Sequence, residues 1–339
     1  MNESTLSVPA PVRPGGRIRV VSPTGTCVTD LPERFRRAER ALGAGGYRVD
    51  YGFVASRVTA GPATAAERAR ELMEAFADPD VDAVLAADAG HGTLELLEHL
   101  DAAVLAAHPK PFIGFCDNVF INAFLASRAR LSSLYGCGVI PQLGEAGDGF
   151  PETLGGLAAA LDSGRSLSCR PAPDRAAEAV NWYNPEADAR PRRRCVPGGW
   201  QWPAEGAGTG FLYGAEISIL ADVLRDFECF GRPLEEIVLF WHKAFKGADA
   251  RDAFRDLSER HDLSRLAGMI IGAHPGIPPA LWAATVADLL DEVLPDAPYP
   301  IVVNADISHL NPTWVVPYGE AVRLDSAGTI TFARAGGAQ

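Results

Sequence analysis

Through its first 130 residues this chain alternates strand-length apolar runs with helix-length amphipathic ones, and few folds accept that order. Residues 17–23 read as a buried strand ending in a turn, 31–46 as a helix stopping at Gly45-Gly46, and 47–53 as a strand. Thr64, with Glu67 three residues on, forms a capping box that opens a helix over 64–77. A strand over 81–87, a helix over 93–100, a strand over 112–115 and a helix over 118–130 follow. Strands alternating with helices predict a parallel sheet covered on both faces, with ligands gathered at the carboxyl ends of its strands. Pro23, Gly90-His91-Gly92 and Cys116 all fall at such ends, so a single mouth is expected.

Cys116 is the most chemically pointed of these. Pro111-Phe112-Ile113-Gly114-Phe115-Cys116-Asp117-Asn118 runs directly into Val119-Phe120-Ile121-Asn122-Ala123-Phe124-Leu125. An apolar run, a glycine, one reactive side chain and a helix start is how an α/β enzyme lifts a nucleophile above its sheet. A thiol there lies near the positive end of a helix dipole, which predicts thiolate character. With His309 beside it in space, the pair would perform acyl transfer.

Beyond this unit, residues 161–197 turn polar and rich in Pro, Arg and Ala, as a linker or long excursion does. A second unit then opens at 208–214 and continues with helix 217–227, strand 237–241, helix 250–261, strand 266–272, helix 279–294 and strand 301–305. A hairpin over 321–324 and 329–333 closes it. The expected division is a nucleophile-bearing α/β domain over 1–160, a connector over 161–197 and a second α/β domain over 198–339.

Bulk properties remove several function classes. A net charge of −12, with Arg192-Arg193-Arg194 as the one basic run, excludes a nucleic-acid footprint. No apolar stretch is long enough to cross a membrane, and no secretory leader is visible, so a cytoplasmic protein is expected. Six cysteines without a CxxC pair fit reduced thiols. No nucleotide, flavin or pyridoxal motif appears, so no cofactor is expected.

The order of motifs resembles the LD-carboxypeptidase family over nearly the whole chain. The residues that carry the resemblance are Val20-Val21-Ser22-Pro23-Thr24-Gly25, Glu67-Arg68, Asp78-Pro79-Asp80-Val81-Asp82-Ala83 and Gly90-His91-Gly92. They continue with Ile113-Gly114-Phe115-Cys116-Asp117-Asn118, Gly199-Trp200, Gly210-Phe211-Leu212-Tyr213-Gly214 with Ser218 and Leu220, Asp306-Ile307-Ser308-His309 and Pro317-Tyr318-Gly319. The resemblance implies an N-terminal doubly wound parallel-sheet domain, a C-terminal α/β LD-carboxypeptidase-type domain, amide-bond cleavage by a Ser-His-Glu triad, and a homodimer.

Carried over residue by residue, the nucleophile falls on Cys116, the base on His309 and the oxyanion N–H donors on Asp117 and His91. The orienting Glu falls on His242. Two of three triad positions therefore differ from the family pattern. A thiol depends less on a strong base than a hydroxyl does, so the two changes are chemically consistent with one another. They direct the expectation toward a cysteine-dependent amide-bond hydrolase or acyl transferase, specialised for small-molecule biosynthesis or self-resistance rather than cell-wall trimming.

The remaining residues have competing readings. His242 is a weakened relay to His309, a substrate contact or a satisfied structural histidine. Asp306 orients His309 or caps a turn. Gly90, Gly92, Asn118, Glu216 and Ser22 line the mouth and bind a small-molecule or peptide-like substrate. Two alternatives stay open: a metal enzyme ligated by Cys116, His242 and His309, and a non-catalytic ligand-binding module.

Overall fold

The computed structural model describes residues 6–58, 62–245, 247 and 249–334. Its first sheet is laid down by β1 (Arg17–Val21), β2 (Arg48–Tyr51), β3 (Ala83–Ala86), β4 (Phe112–Gly114) and β5 (Ser133–Tyr135). These run parallel in the order β5-β4-β3-β1-β2. Every residue of β3 and β4 is buried, as continuous apolar runs covered on both faces should be. Among the covering helices, Ala65–Ala77 begins at the expected capping box: the Glu67 N–H donates to Thr64 Oγ1 and the Thr64 N–H to the Glu67 carboxylate.

The later chain supplies β6 (Leu167–Cys169), the short pair β7 (Asp174–Arg175) and β8 (Val196–Pro197), and β9 (Gln201–Ala204). Then come β10 (Ala207–Glu216), β11 (Ile237–His242), β12 (Gly268–Gly272) and β13 (Ile301–Ala305). β14 (Val316–Tyr318), β15 (Ala321–Asp325) and β16 (Thr329–Phe332) complete the set. The second sheet has the order β6-β16-β15-β10-β11-β12-β13-β9, with β10 to β13 parallel and antiparallel wings. β14 leaves that sheet and pairs antiparallel with β5, becoming the edge of the first.

Segment 161–197, expected as a linker or long excursion, packs against the body. β6 edges the second sheet, and the short helix Pro185–Asp188 carries a buried carboxylate back to the first unit. There Arg34 is fully buried and its guanidinium binds both Asp188 and Glu145, while its Nε donates to the Ile140 carbonyl at 2.7 Å. Arg192 adds a 2.7 Å bond to Glu145, and Arg37 joins Asp188. The Arg34 guanidinium also lies 5.0 Å from the ring centre of Trp182. Removing one member leaves buried charge uncompensated, so Asp188→Ala should destabilise by about 3–5 kcal/mol, read as a fall in denaturant midpoint at unchanged slope. A change below about 1 kcal/mol would show that the cluster is solvated.

Candidate active site

β4 ends at Gly114, Phe115 is still extended, and Cys116 then takes a left-handed backbone with φ 53°. A tight 3-10 turn, Cys116–Asn118, feeds the helix Val119–Phe124. That is the expected strand–turn–helix geometry, held in a conformation unfavourable for a residue with a Cβ. Gly114 is required by close approach: a Cβ there would stand 2.7 Å from the Asn118 Cβ.

Hydrogen bonds from neighbouring elements fix the turn. Asn118 Nδ2 donates to the Asp88 carbonyl at 2.8 Å and the Phe115 carbonyl at 3.0 Å. The Asp117 carboxylate accepts from the Gly90 N–H at 2.8 Å and Thr93 Oγ1 at 2.7 Å, tying the Gly90-His91-Gly92 loop to the turn. From β5, Tyr135 Oη accepts the Cys116 N–H at 3.1 Å and meets His242 Nε2 at 2.7 Å.

A cavity of about 580 Å³ opens over this turn and brings together Cys116, Asp117, Gly90, His91, Gly92, Glu216 and His309. Gly90-His91-Gly92 and Cys116 therefore share one mouth as expected, with residues from both sheets, whereas Pro23 does not line it. Asp88 and Trp182 also line it; neither was singled out in the sequence, because no motif marks them. His309 sits in the loop after β13, its ring centre 4.8 Å from that of Phe115. Gly272 lets that loop approach: a Cβ would lie 2.2 Å from the Ile307 carbonyl oxygen and 2.6 Å from the His242 Cβ.

Two expectations need correction, Ser22 and Asn118 as lining residues, and the alternatives for Asp306 and His242 are narrowed. Ser22 is fully buried, its N–H bonded to Glu71 and its hydroxyl to the Thr26 carbonyl, so it does not face the cavity. Asn118 is likewise fully buried and shapes the turn rather than lining the mouth. Asp306 turns away from His309 to bind Arg175 at 2.6 Å and the Ala172 N–H at 3.1 Å. His242 is fully buried behind the cavity; its ring centre is 5.0 Å from that of His309, and among the described residues no hydrogen bond joins them.

Nor do Cys116, His242 and His309 form a ligand set. Among the described residues no group of three His, Cys, Asp or Glu side chains is placed to hold a metal ion. Glu216 lines the cavity, yet its oxygens accept from the Ser218 N–H and hydroxyl and the Ala244 N–H, capping the helix Ile217–Phe227.

The site's electrostatics reverse the dipole expectation for the thiol. Burial pushes Cys116 far above its ordinary value, and the charges of Asp117, Glu216 and Asp88 add to it, against one hydrogen bond from the Asp117 backbone. His309 is pushed down to about 3 by burial and then by the charge of Lys243, with a hydrogen bond to the Lys243 backbone opposing. His242 is also held well below its ordinary range by burial, with His309 and Lys243 adding to the effect. Asp88 rises to about 6, chiefly by burial. The resting pair is a neutral thiol and a neutral imidazole.

Stability carries the same signature. An unfolded imidazole takes its proton near pH 6.5 and folded His309 near pH 3, so the unfolded state protonates first as pH falls. The imidazole's contribution is whole above pH 6.5 and lost on the way down, by up to about 1.4 kcal/mol per pH unit. Denaturant midpoints between pH 7.5 and 5 should fall less steeply in His309→Gln than in the wild type; parallel slopes would contradict a neutral buried His309.

Comparison with known proteins agrees with this architecture. Residues 18–136 match the LD-carboxypeptidase N-terminal domain and residues 209–324 the LD-carboxypeptidase C-terminal domain. The chain belongs to the LD-carboxypeptidase family. It is 24% identical to the microcin C7 self-immunity protein MccF of Escherichia coli over 96% of this chain and 95% of that one. It is 34% identical to the murein tetrapeptide carboxypeptidase of Pseudomonas aeruginosa over 36% of this chain and 39% of that one. The crystal structure of an MccF-like protein from Bacillus anthracis shares the fold, with TM-score 0.83 and 22% identity over 96% of this chain and 99% of that one. Among the described residues no helix is long and apolar enough to cross a membrane.

Proposed function

We propose that this chain is a cysteine-dependent amide-bond hydrolase or acyl transferase acting on a small-molecule or peptide-like substrate. The observation that carries the reading is Cys116, raised on a left-handed strand–helix turn into a cavity of about 580 Å³ that His309 also lines. Family membership supplies the amide-cleaving class. MccF structures in complex with aspartyl sulfamoyl adenosine, glutamyl sulfamoyl guanosine and AMP support a compact polar substrate.

Because the resting pair is neutral, chemistry begins with general-base assistance rather than a standing thiolate–imidazolium pair. As the sulfur attacks the acyl carbon, its proton passes to His309 and the carbonyl π electrons move onto oxygen. Backbone N–H groups of Asp117 and His91 receive that oxyanion. Collapse breaks the C–N bond, His309 returns the proton to the leaving amine, and an acyl-thioester remains on Cys116. Water or an amine then attacks the thioester, giving up its proton through His309, and the thiol leaves with that proton restored.

Lining carboxylates at Asp88, Asp117, Glu216 and Asp222 favour a substrate that bears positive charge near its acyl group. The test is intact-protein mass spectrometry with amino-acyl amides and esters, cationic and neutral. An acyl adduct mapped to Cys116 and absent from Cys116→Ala supports the reading. Turnover without any adduct, undiminished in Cys116→Ala, overturns it.

A further inference from the structure

We propose that His242 serves Cys116 and not His309: through the Tyr135 hydroxyl it holds the backbone of the nucleophile turn, which makes Tyr135 and His242 positioning residues. The inference deepens the reading of Cys116 as the nucleophile and rests on it.

The argument starts from proton bookkeeping at one phenol. Tyr135 is fully buried, and its oxygen accepts the Cys116 N–H at 3.1 Å. Its own hydrogen needs an acceptor, because a buried donor left without one costs about 1–3 kcal/mol. His242 Nε2 lies 2.7 Å away and can take it. The imidazole proton then sits on Nδ1, a single buried group without a partner, whereas the opposite tautomer would orphan two, the phenol O–H and a bare Nδ1.

With Nδ1 protonated and Nε2 occupied, His242 has no lone pair to offer His309. The Nδ1 of His309 is itself buried without a partner, as expected if no relay exists. A relay would demand the opposite tautomer, with His242 Nδ1 bare and Nε2–H donating to the phenol.

Geometry supports the positioning role. The Cys116 N–H belongs to the one residue of the turn with φ 53°, and a hydrogen bond there opposes relaxation of the strained backbone. Tyr135 reaches it from β5, whose Tyr135 pairs with Gly114 of β4. His242 is the last residue of β11, in the other sheet, and packs flat on Phe115 with ring centres 5.7 Å apart and planes within 3°. The Tyr135–His242 bond therefore joins the two sheets directly behind the nucleophile. Phe115 also touches His309, so the same clamp sets the separation of nucleophile and base.

Protein labelled with ¹⁵N at histidine reads the tautomer of His242 directly. The expected result is the Nδ1–H form, unchanged from pH 5 to 8 because burial keeps this imidazole neutral. Amide hydrogen exchange at Cys116 is the second readout. It should quicken at least tenfold in Tyr135→Phe and His242→Leu, and return toward wild type in His242→Gln, whose side-chain carbonyl can accept the phenol proton. An Nε2–H tautomer, or exchange unchanged in Tyr135→Phe, overturns the proposal. The tautomer is measured on the wild type, so it decides the matter even where a variant fails to fold. Neither readout needs turnover, so failure to find an acyl adduct would count against the proposed function alone.

Discussion

Cys116→Ala should abolish the covalent adduct and lower turnover by at least about 10³-fold, while the protein stays folded. The alanine keeps a Cβ in the same left-handed backbone, so turn geometry is little altered and the loss reports chemistry. Cys116→Ser is the sharper experiment. It brings back the hydroxyl used by the family, but among the described residues no carboxylate pairs with His309 to stabilise its protonated form, and His242 is bonded to Tyr135 instead. A hydroxyl needs that help far more than a thiol does. Turnover of Cys116→Ser should therefore stay below about 1% of wild type. Equal rates in Ser and Cys forms would mean that the sulfur is incidental.

His309→Ala should cost about 10²–10⁴-fold, the usual share of a general base. Its pH profile is the more diagnostic part. With His309 near 3 and Cys116 far above its ordinary range, kcat/KM should lack an acid limb at pH 6.5 of the kind an unperturbed histidine gives. Asp88, near 6, and the imidazole of His91 both line the cavity, so Asp88→Asn and His91→Gln are the controls. A limb near 6.5 that survives both Asp88→Asn and His91→Gln would show a His309 far more solvated than its packing against Phe115 allows.

Much of this architecture was legible in the sequence because its signals are local. The capping box at Thr64 and Glu67, the glycine stop after Ala44 and the apolar runs of β3 and β4 each need only a few residues to read. β5 and β14 escaped because three-residue strands show no period, and their pairing is decided by partners far along the chain. The helices Ala102–Ala107 and Pro151–Leu161 went unread, the second carrying Gly155 and Gly156 inside it.

At the site, motif order singled out Cys116 and His309, and both line one cavity. What motif order could not convey was direction and environment. Asp306 stands three residues before His309, yet a buried Arg175 turns its carboxylate away. The dipole argument for a thiolate failed because burial and nearby carboxylates outweigh the opening of a six-residue helix. His242 aligned with the acid position while bonding elsewhere, since Tyr135, 107 residues away in sequence, lies within hydrogen-bond distance of its Nε2.

β14 also says something about how this chain can be divided. The last strand-pairing partner of the first sheet is made from residues 316–318, beyond all three histidines of the site. An N-terminal fragment ending near residue 160 would hold its nucleophile turn but present β5 as an open edge, with unsatisfied backbone groups ready to pair with another chain. The two sheets interlock: the sheet that carries the Cys116 turn takes its edge strand from residues 316–318, near the far end of the polypeptide.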